Sequence, residues 1–138
     1  MRQTIGDLMS HDPITCPPDA QLQSAAQLMR DRDIGDVVVV AGDEVRGIVT
    51  DRDITVRAVA EGRGPETPVS DVLSGQVVTV ASDDRVEKVV DLMREHAVRR
   101  IPVVDDGRLT GVISIGDVAM ARDPESALAD ISAARENS

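Results

Sequence analysis

The sequence predicts an α/β (α+β) fold made of two pseudo-symmetric βαββα repeats packed into one module. Three observations predict it. Sliding the chain against itself by 64 residues aligns residues 4–53 with 68–117 without a gap. Identities fall at Asp7/Asp71, Ser10/Ser74, Thr15/Thr79, Asp19/Asp83, Leu28/Leu92, Met29/Met93, Arg30/Arg94, Val39/Val103, Val40/Val104, Gly47/Gly111 and Asp53/Asp117. Each copy also carries one helical apolar stripe, and each carries two short aliphatic runs around a Gly/Asp turn, the mark of a hairpin.

The elements follow in the same order in both copies. Thr4-Ile5-Gly6-Asp7 has the pattern of a capping box, and Thr67 followed by Pro68 reads as an N-cap with proline at the first helical position. Brief strands are expected at Ile14-Thr15-Cys16 and Val77-Val78-Thr79-Val80. Asp19 and Asp83 are expected to cap helices running to about Asp31 and Glu95. Leu22, Ala25, Ala26 and Met29, and in the second copy Val86, Val89, Val90 and Met93, recur at i, i+3, i+4, i+7 and give each helix one buried stripe. The hairpins are Val37–Val40 with Val45–Thr50, and Ile101–Val104 with Leu109–Ser114. Helices close the copies at Arg52–Ala60 and about Gly116–Ala121. The expected divisions are residues 4–62, residues 67–121 and a C-terminal helical segment at 122–138 bearing Ala127, Leu128, Ile131 and Ala134. Gly62-Arg63-Gly64-Pro65 is too short for a flexible tether between the copies.

Composition narrows the function classes. The 138 residues include no Phe, Tyr or Trp, so the core is built from aliphatics and Met, and base stacking on aromatics is unavailable. The net charge is −10, spread as −4 over residues 1–64 and −6 over 65–138. No basic stripe exists to neutralise phosphates, which argues against nucleic-acid binding. A single cysteine, Cys16, excludes an internal disulfide and a cysteine-built zinc site. No signal peptide and no membrane-length apolar run is visible, so a cytoplasmic protein with no membrane partner is expected.

The hairpin exits carry a repeated signature, Gly47-Ile48-Val49-Thr50-Asp51-Arg52-Asp53 and Gly111-Val112-Ile113-Ser114-Ile115-Gly116-Asp117. Glycine, two aliphatics, Thr or Ser, two variable residues and Asp, after a βαβ pattern, resembles the cystathionine-β-synthase (CBS) domain. Two in tandem resemble a CBS pair, or Bateman module, over about residues 4–121. The chain is similar to the free-standing CBS-pair proteins of bacteria.

The residues of the signature support two readings. Thr50 and the Asp51–Asp53 amides gather where a strand meets a helix, a place that suits an anion, and Asp53 can accept hydrogen bonds from a diol. Equally, Thr50/Ser114 and Asp53/Asp117 can simply cap their helices. The resemblance implies adenosyl ligands, AMP, ADP, ATP or S-adenosylmethionine, as regulators in the cleft between the repeats, with no required cofactor. It implies a preferred site of Thr50, Asp53, Val77, Val78, Arg99 and Arg100, with Arg52 facing either phosphate or a salt bridge to Asp51 or Asp31. A weaker site would use Ser114 and Asp117 with Ile14 and Thr15, because Gly35-Asp36 stand where the other copy has Arg99-Arg100. The resemblance also implies a homodimer through the signature helices and an effector protein still to be identified.

Other candidates are weaker. His11 and His96 occupy unmatched places and do not make a metal site. Cys16 on a strand reads as a buried inert thiol. No nucleophile–base arrangement and no Gly-rich phosphate loop occurs, so a binding module is expected and not an enzyme. The alternative is a constitutive dimerisation module with vestigial clefts.

Overall fold

The structure, a computed structural model, describes residues 3–73 and 77–122. Of the C-terminal segment expected at 122–138, all but Arg122 lies outside them. The elements are α1 (Ile5–Leu8), β1 (Thr15–Cys16), α2 (Leu22–Arg32), β2 (Asp36–Ala41), β3 (Glu44–Thr50), α3 (Asp51–Asp53) continued by a π-helical run at Ile54–Val59, a 3-10 turn at Val69–Val72, α4 (Val86–His96), β4 (Arg100–Asp105), β5 (Arg108–Ser114) and α5 (Ile115–Arg122). α2 and α4, β2 and β4, and β3 and β5 stand 64 residues apart at both ends, so the duplication holds residue for residue.

The contacts divide the chain into two compact units, one of Ile14–Val77 and one that runs through Pro13 and resumes at Val78. The unit of packing therefore differs from the unit of sequence repetition. In the sequence each short opening turn heads its own copy; in the structure each packs in the unit of the other copy. Ile5 N–H donates to Asp84 O at 3.0 Å and Gly6 N–H to Ser82 O at 2.8 Å, while Ser10 and Val112 exchange two bonds at 2.9 and 3.1 Å. Reciprocally, Val69 N–H donates to Ala20 O at 2.8 Å and Ser70 N–H to Pro18 O at 3.1 Å. Gly111 permits the first of these arrangements: a Cβ there would lie 2.5 Å from Ser10 O and 2.7 Å from the Met9 sulfur.

In the unit Ile14–Val77 the sheet order is β1-β2-β3. β1 runs parallel to β2, and β2 pairs antiparallel with β3 from Asp36↔Thr50 to Ala41↔Glu44. One face buries Val37, Val39 and Val49 against Leu22, Ala25 and Met29 of α2, and Val69 and Val72 close the same core. Cys16 belongs to it as well, and burial pushes its thiol pKa up, as an inert core cysteine requires.

The other unit repeats the scheme with Ile101, Val103 and Ile113 against Val86, Val89 and Met93, closed by Ile5. Its first strand is shorter than the Val77–Val80 expected from sequence: only Val80 bridges β4, in parallel with Val103. Proline explains the loss. In the first copy Val38 N–H anchors β1 by donating to Ile14 O at 2.9 Å. The equivalent of Val38 is Pro102, which has no N–H to give Val78.

Three further details depart from the sequence reading. Asp19 and Asp83 do not cap the long helices; the N-cap positions are Gln21 and Arg85, neither with a side-chain cap bond. Backbone does that work for α2, whose Leu22 and Gln23 N–H groups donate to Thr67 O at 2.8 Å and Pro65 O at 3.0 Å. Thr67 does not cap the next turn either: its hydroxyl donates to Gly64 O at 2.7 Å, and the turn starts after Pro68. The closing helix expected at Arg52–Ala60 is α-helical only to Asp53 and then winds as a π-helix.

Candidate functional site

Both signature exits fold into the same local structure. β3 ends at Thr50 in extended conformation and the chain turns directly into a helix. Thr50 N–H donates to Asp53 Oδ2 at 3.0 Å, and Asp53 N–H donates to Thr50 Oγ1 at 3.0 Å. In the other unit Ser114 N–H donates to Asp117 Oδ2 at 2.8 Å and Asp117 N–H to Ser114 Oγ at 3.1 Å. Each is a reciprocal capping box, so the helix-capping reading of these residues is realised. The box engages one carboxylate oxygen by one bond. It leaves acceptor capacity on a half-buried carboxylate and fixes its direction.

The strand register decides what faces each box. Asp36 pairs with Thr50, and Arg100 pairs with Ser114. Asp51 N–H donates to Gly35 O at 3.0 Å and Ile115 N–H to Arg99 O at 2.8 Å, tying each helix start to the strand before it. Asp117 feels two opposing influences. Burial raises its carboxyl pKa above the ordinary value, while the Ser114 bonds and the Arg100 charge pull it partly back.

Arg57, which the sequence reading did not single out, lies with its Nε 3.7 Å from Asp53 Oδ1. The i,i+4 spacing of Asp53 and Arg57 was the signal that could have found it. Of the two roles expected for Arg52, the salt bridge to Asp51 or Asp31 is not found among the described residues: its backbone N–H donates to Asp51 Oδ1 at 2.8 Å, and Asp31 pairs with Arg30.

The predicted site residues are grouped by unit as follows. Thr50, Arg52 and Asp53 share the unit Ile14–Val77 with Ile14, Thr15 and Val77; Ser114 and Asp117 share the other with Val78, Arg99 and Arg100. Ile14 and Val78 pack partly buried against their respective cores, and Val77 is exposed. A groove of about 490 Å³ beside the Asp53 helix is lined by Ala26, Met29, Arg30, Asp33, Asp51, Ile54 and Thr55. It includes none of Thr50, Arg52 and Asp53. Among the described residues no group of three His, Cys, Asp or Glu could hold a metal ion.

The two boxes and the repeated topology that presents them can be compared with known proteins. The family model described as CBS domain matches residues 5–59 and again residues 69–124. The chain belongs to the CBS domain family. It is 37% identical over 117 residues to the CBS domain-containing protein YhcV of Bacillus subtilis, covering 85% of this chain and 84% of that protein. It is 34% identical over 119 residues to Hypoxic response protein 1 of Mycobacterium tuberculosis, with 84% and 82% covered.

Among solved structures, the CBS-domain containing protein ATU1752 of Agrobacterium tumefaciens superposes with a TM-score of 0.78 at 35% identity, covering 88% of this chain and 95% of that one. The CBS domain pair of protein MJ0100, crystallised with 5′-methylthioadenosine and S-adenosyl-L-methionine, superposes with a TM-score of 0.81. At 23% identity, over 91% of this chain and 100% of that one, the likeness is one of fold.

The two CBS repeats differ in charge around equal boxes. Around Thr50–Asp53 stand Asp33, Asp36 and Asp51 with Arg52 and Arg57; the matching positions around Ser114–Asp117 are Ala97, Arg100, Ile115, Gly116 and Ala121, with Arg99 in place of Gly35. The first surrounding is net acidic and the second net basic. No helix among the described residues is long and apolar enough to cross a membrane.

Proposed function

We propose that this CBS pair is a regulatory binding module for an adenosyl compound, AMP, ADP, ATP or S-adenosylmethionine, and signals its occupancy to an effector protein. The observation that carries the reading is the pair of capping boxes, each holding a hydroxyl and an oriented carboxylate at a strand-to-helix turn. A carboxylate so held suits a ribose diol. The MJ0100 pair makes adenosyl compounds the first class to test. The proposed contacts are Thr50, Arg52, Asp53, Val77, Val78, Arg99 and Arg100 for one ligand, and Ile14, Thr15, Ser114 and Asp117 for a second. Without aromatics, adenine would rest on aliphatics such as Val77 and Val78. No nucleophile–base pair recommends catalysis, so the proposed activity is binding.

Which box prefers a phosphate has two answers. The family pattern gives Arg99 and Arg100 to the Asp53 ligand. The strand register of each unit taken by itself points to the Asp117 box, where Arg100 pairs with Ser114 and Asp36 pairs with Thr50 in the other unit. Melting of wild type, Asp53→Ala and Asp117→Ala with AMP and adenosine decides it. A ligand at 100 times its dissociation constant stabilises by about 2.7 kcal/mol, and the variant that loses more of the AMP shift marks the phosphate site. No shift with any of the four compounds or adenosine overturns the reading.

Exposed Val56, Val59, Ile115 and Met120 on the signature helices favour a homodimer that covers them. They are also what a purely structural dimerisation module would show. Light scattering reads the dimer, and the ligand shifts separate the two functions.

A further inference from the structure

The helix that follows the first box is wound differently from its twin. Over Ile54–Val59 it is a π-helix. Ala60 N–H donates to Thr55 O at 2.9 Å, a bond spanning five residues at the run's end. Such runs are rare and often sit at functional places. Behind the other box Ile115–Arg122 is an ordinary α-helix, in which Val118–Arg122 match Ile54–Ala58. Neither the strand-to-helix turn nor the box itself therefore imposes the π winding.

The segments differ at every position, and two of the differing side chains in the first make contacts that their counterparts cannot. Arg57 ties back to Asp53 Oδ1 at 3.7 Å, where the second copy has Ala121. Thr55 donates its hydroxyl to Asp51 O at 3.0 Å, where the second copy has Ala119. Back-bonding of this sort occupies a carbonyl of the preceding turn and distorts a helix. Ala58 is buried in the core, while Val56 and Val59 point outward with 44% and 67% of their surface exposed.

We propose that Ile54–Val59 is a two-state element whose π winding is held by the Asp53–Arg57 pair, and that a ligand hydroxyl on Asp53 releases Arg57 and lets the segment rewind as an α-helix. The ligand half rests on the adenosyl reading above; the ion-pair half does not. An α turn takes fewer residues than a π turn, so rewinding rotates the end of the segment by roughly a quarter turn about its axis. Val59 and, to a lesser degree, Val56 then face a new direction. Occupancy of one carboxylate is read out as a rearranged apolar surface, which is what a module that signals to a partner needs.

Through-hydrogen-bond NMR couplings test this directly, because they identify the carbonyl that accepts the Ala60 amide. The free protein is expected to couple Ala60 to Thr55. Arg57→Gln, an exposed change that leaves the core intact, is expected to shift the coupling to Val56 without ligand. Arg57→Lys, which keeps the charge, is expected to retain Thr55. Saturation with adenosine, with calorimetric binding that Asp53→Ala abolishes, is expected to produce the Arg57→Gln pattern in the wild type. Persistence of the Thr55 coupling in Arg57→Gln overturns the proposal, and so does its persistence in wild type with adenosine bound. If adenosine does not bind, the adenosyl reading and the ligand half fall together, and the Arg57→Gln arm still decides what holds the winding.

Discussion

Ser114 and Asp117 hold each other by two hydrogen bonds, 2.8 Å from the Ser114 N–H to the carboxylate and 3.1 Å from the Asp117 N–H to the hydroxyl. That arrangement fixes the direction of a carboxylate whose pKa burial nevertheless raises, against the pull of Arg100. The sign of its linkage follows. A carboxyl with a higher pKa folded than unfolded favours the folded state while protonated, below its unfolded pKa. That contribution is lost as pH rises through the folded pKa.

Asp117→Asn is therefore expected to raise the melting temperature at pH 7, because the buried charge is gone while the amide oxygen still accepts the Ser114 N–H. At pH 3 Asp117 is itself largely protonated, and the gain should shrink towards zero. Calorimetry at the two pH values checks this. A lower melting temperature at pH 7 would mean that the ionised box, through Arg100, outweighs the cost of burial. Lost affinity for adenosine beside gained stability is the pattern expected when a binding residue is kept at the expense of the fold.

The second prediction concerns the end of α4. Ala97 closes the helix in the left-handed conformation, φ 55° and ψ 41°, with its N–H and that of Val98 both donating to Met93 O. A residue with a Cβ costs about 1 kcal/mol or more there, whereas glycine takes the position freely. Ala97 is exposed, so its methyl contributes little packing. Ala97→Gly should stabilise by about 0.5–1 kcal/mol, a rise of about 2–4 °C. The same change at Ala60, which has helical backbone angles, should destabilise by a similar amount. Equal effects at the two positions would refute the conformational explanation.

The fold was legible because its strongest signals are local and doubled. A 64-residue offset, a helical apolar stripe and a Gly/Asp turn each reappear in the structure, where α2 and α4 keep the offset at both ends. What was illegible came from backbone partners distant in sequence. Asp19 looks like a cap, but the Thr67 and Pro65 carbonyls satisfy α2 instead, and no side-chain pattern announces a carbonyl. The strand at Val77–Val80 has suitable residues; the missing donor is on Pro102, more than twenty positions away. At the candidate site the Thr50–Asp53 and Ser114–Asp117 pairs were readable because a capping box is a sequence motif. That Asp36 faces one box and Arg100 the other needed the strand register, which sequence spacing alone leaves open.

The exchange of opening turns gives the last prediction. The first copy in sequence, residues 4–62, carries α1, whose Ile5 is buried in the other unit, and lacks Val69 and Val72, which are fully buried in its own. Burying two valines contributes about 3–6 kcal/mol. A domain of this size has a total stability of only about 3–10 kcal/mol. A fragment of residues 4–62 is thus expected to be unfolded. A fragment of residues 14–77 contains the whole of one unit in an unbroken stretch, with β1, β2, β3, both helices and the Val69–Val72 turn. It is expected to melt cooperatively and to show dispersed amide resonances. Val69→Ala in that fragment should cost about 1–3 kcal/mol. Cooperative folding of residues 4–62 together with failure of residues 14–77 would show that the unit of repetition, and not the unit of packing, is what folds.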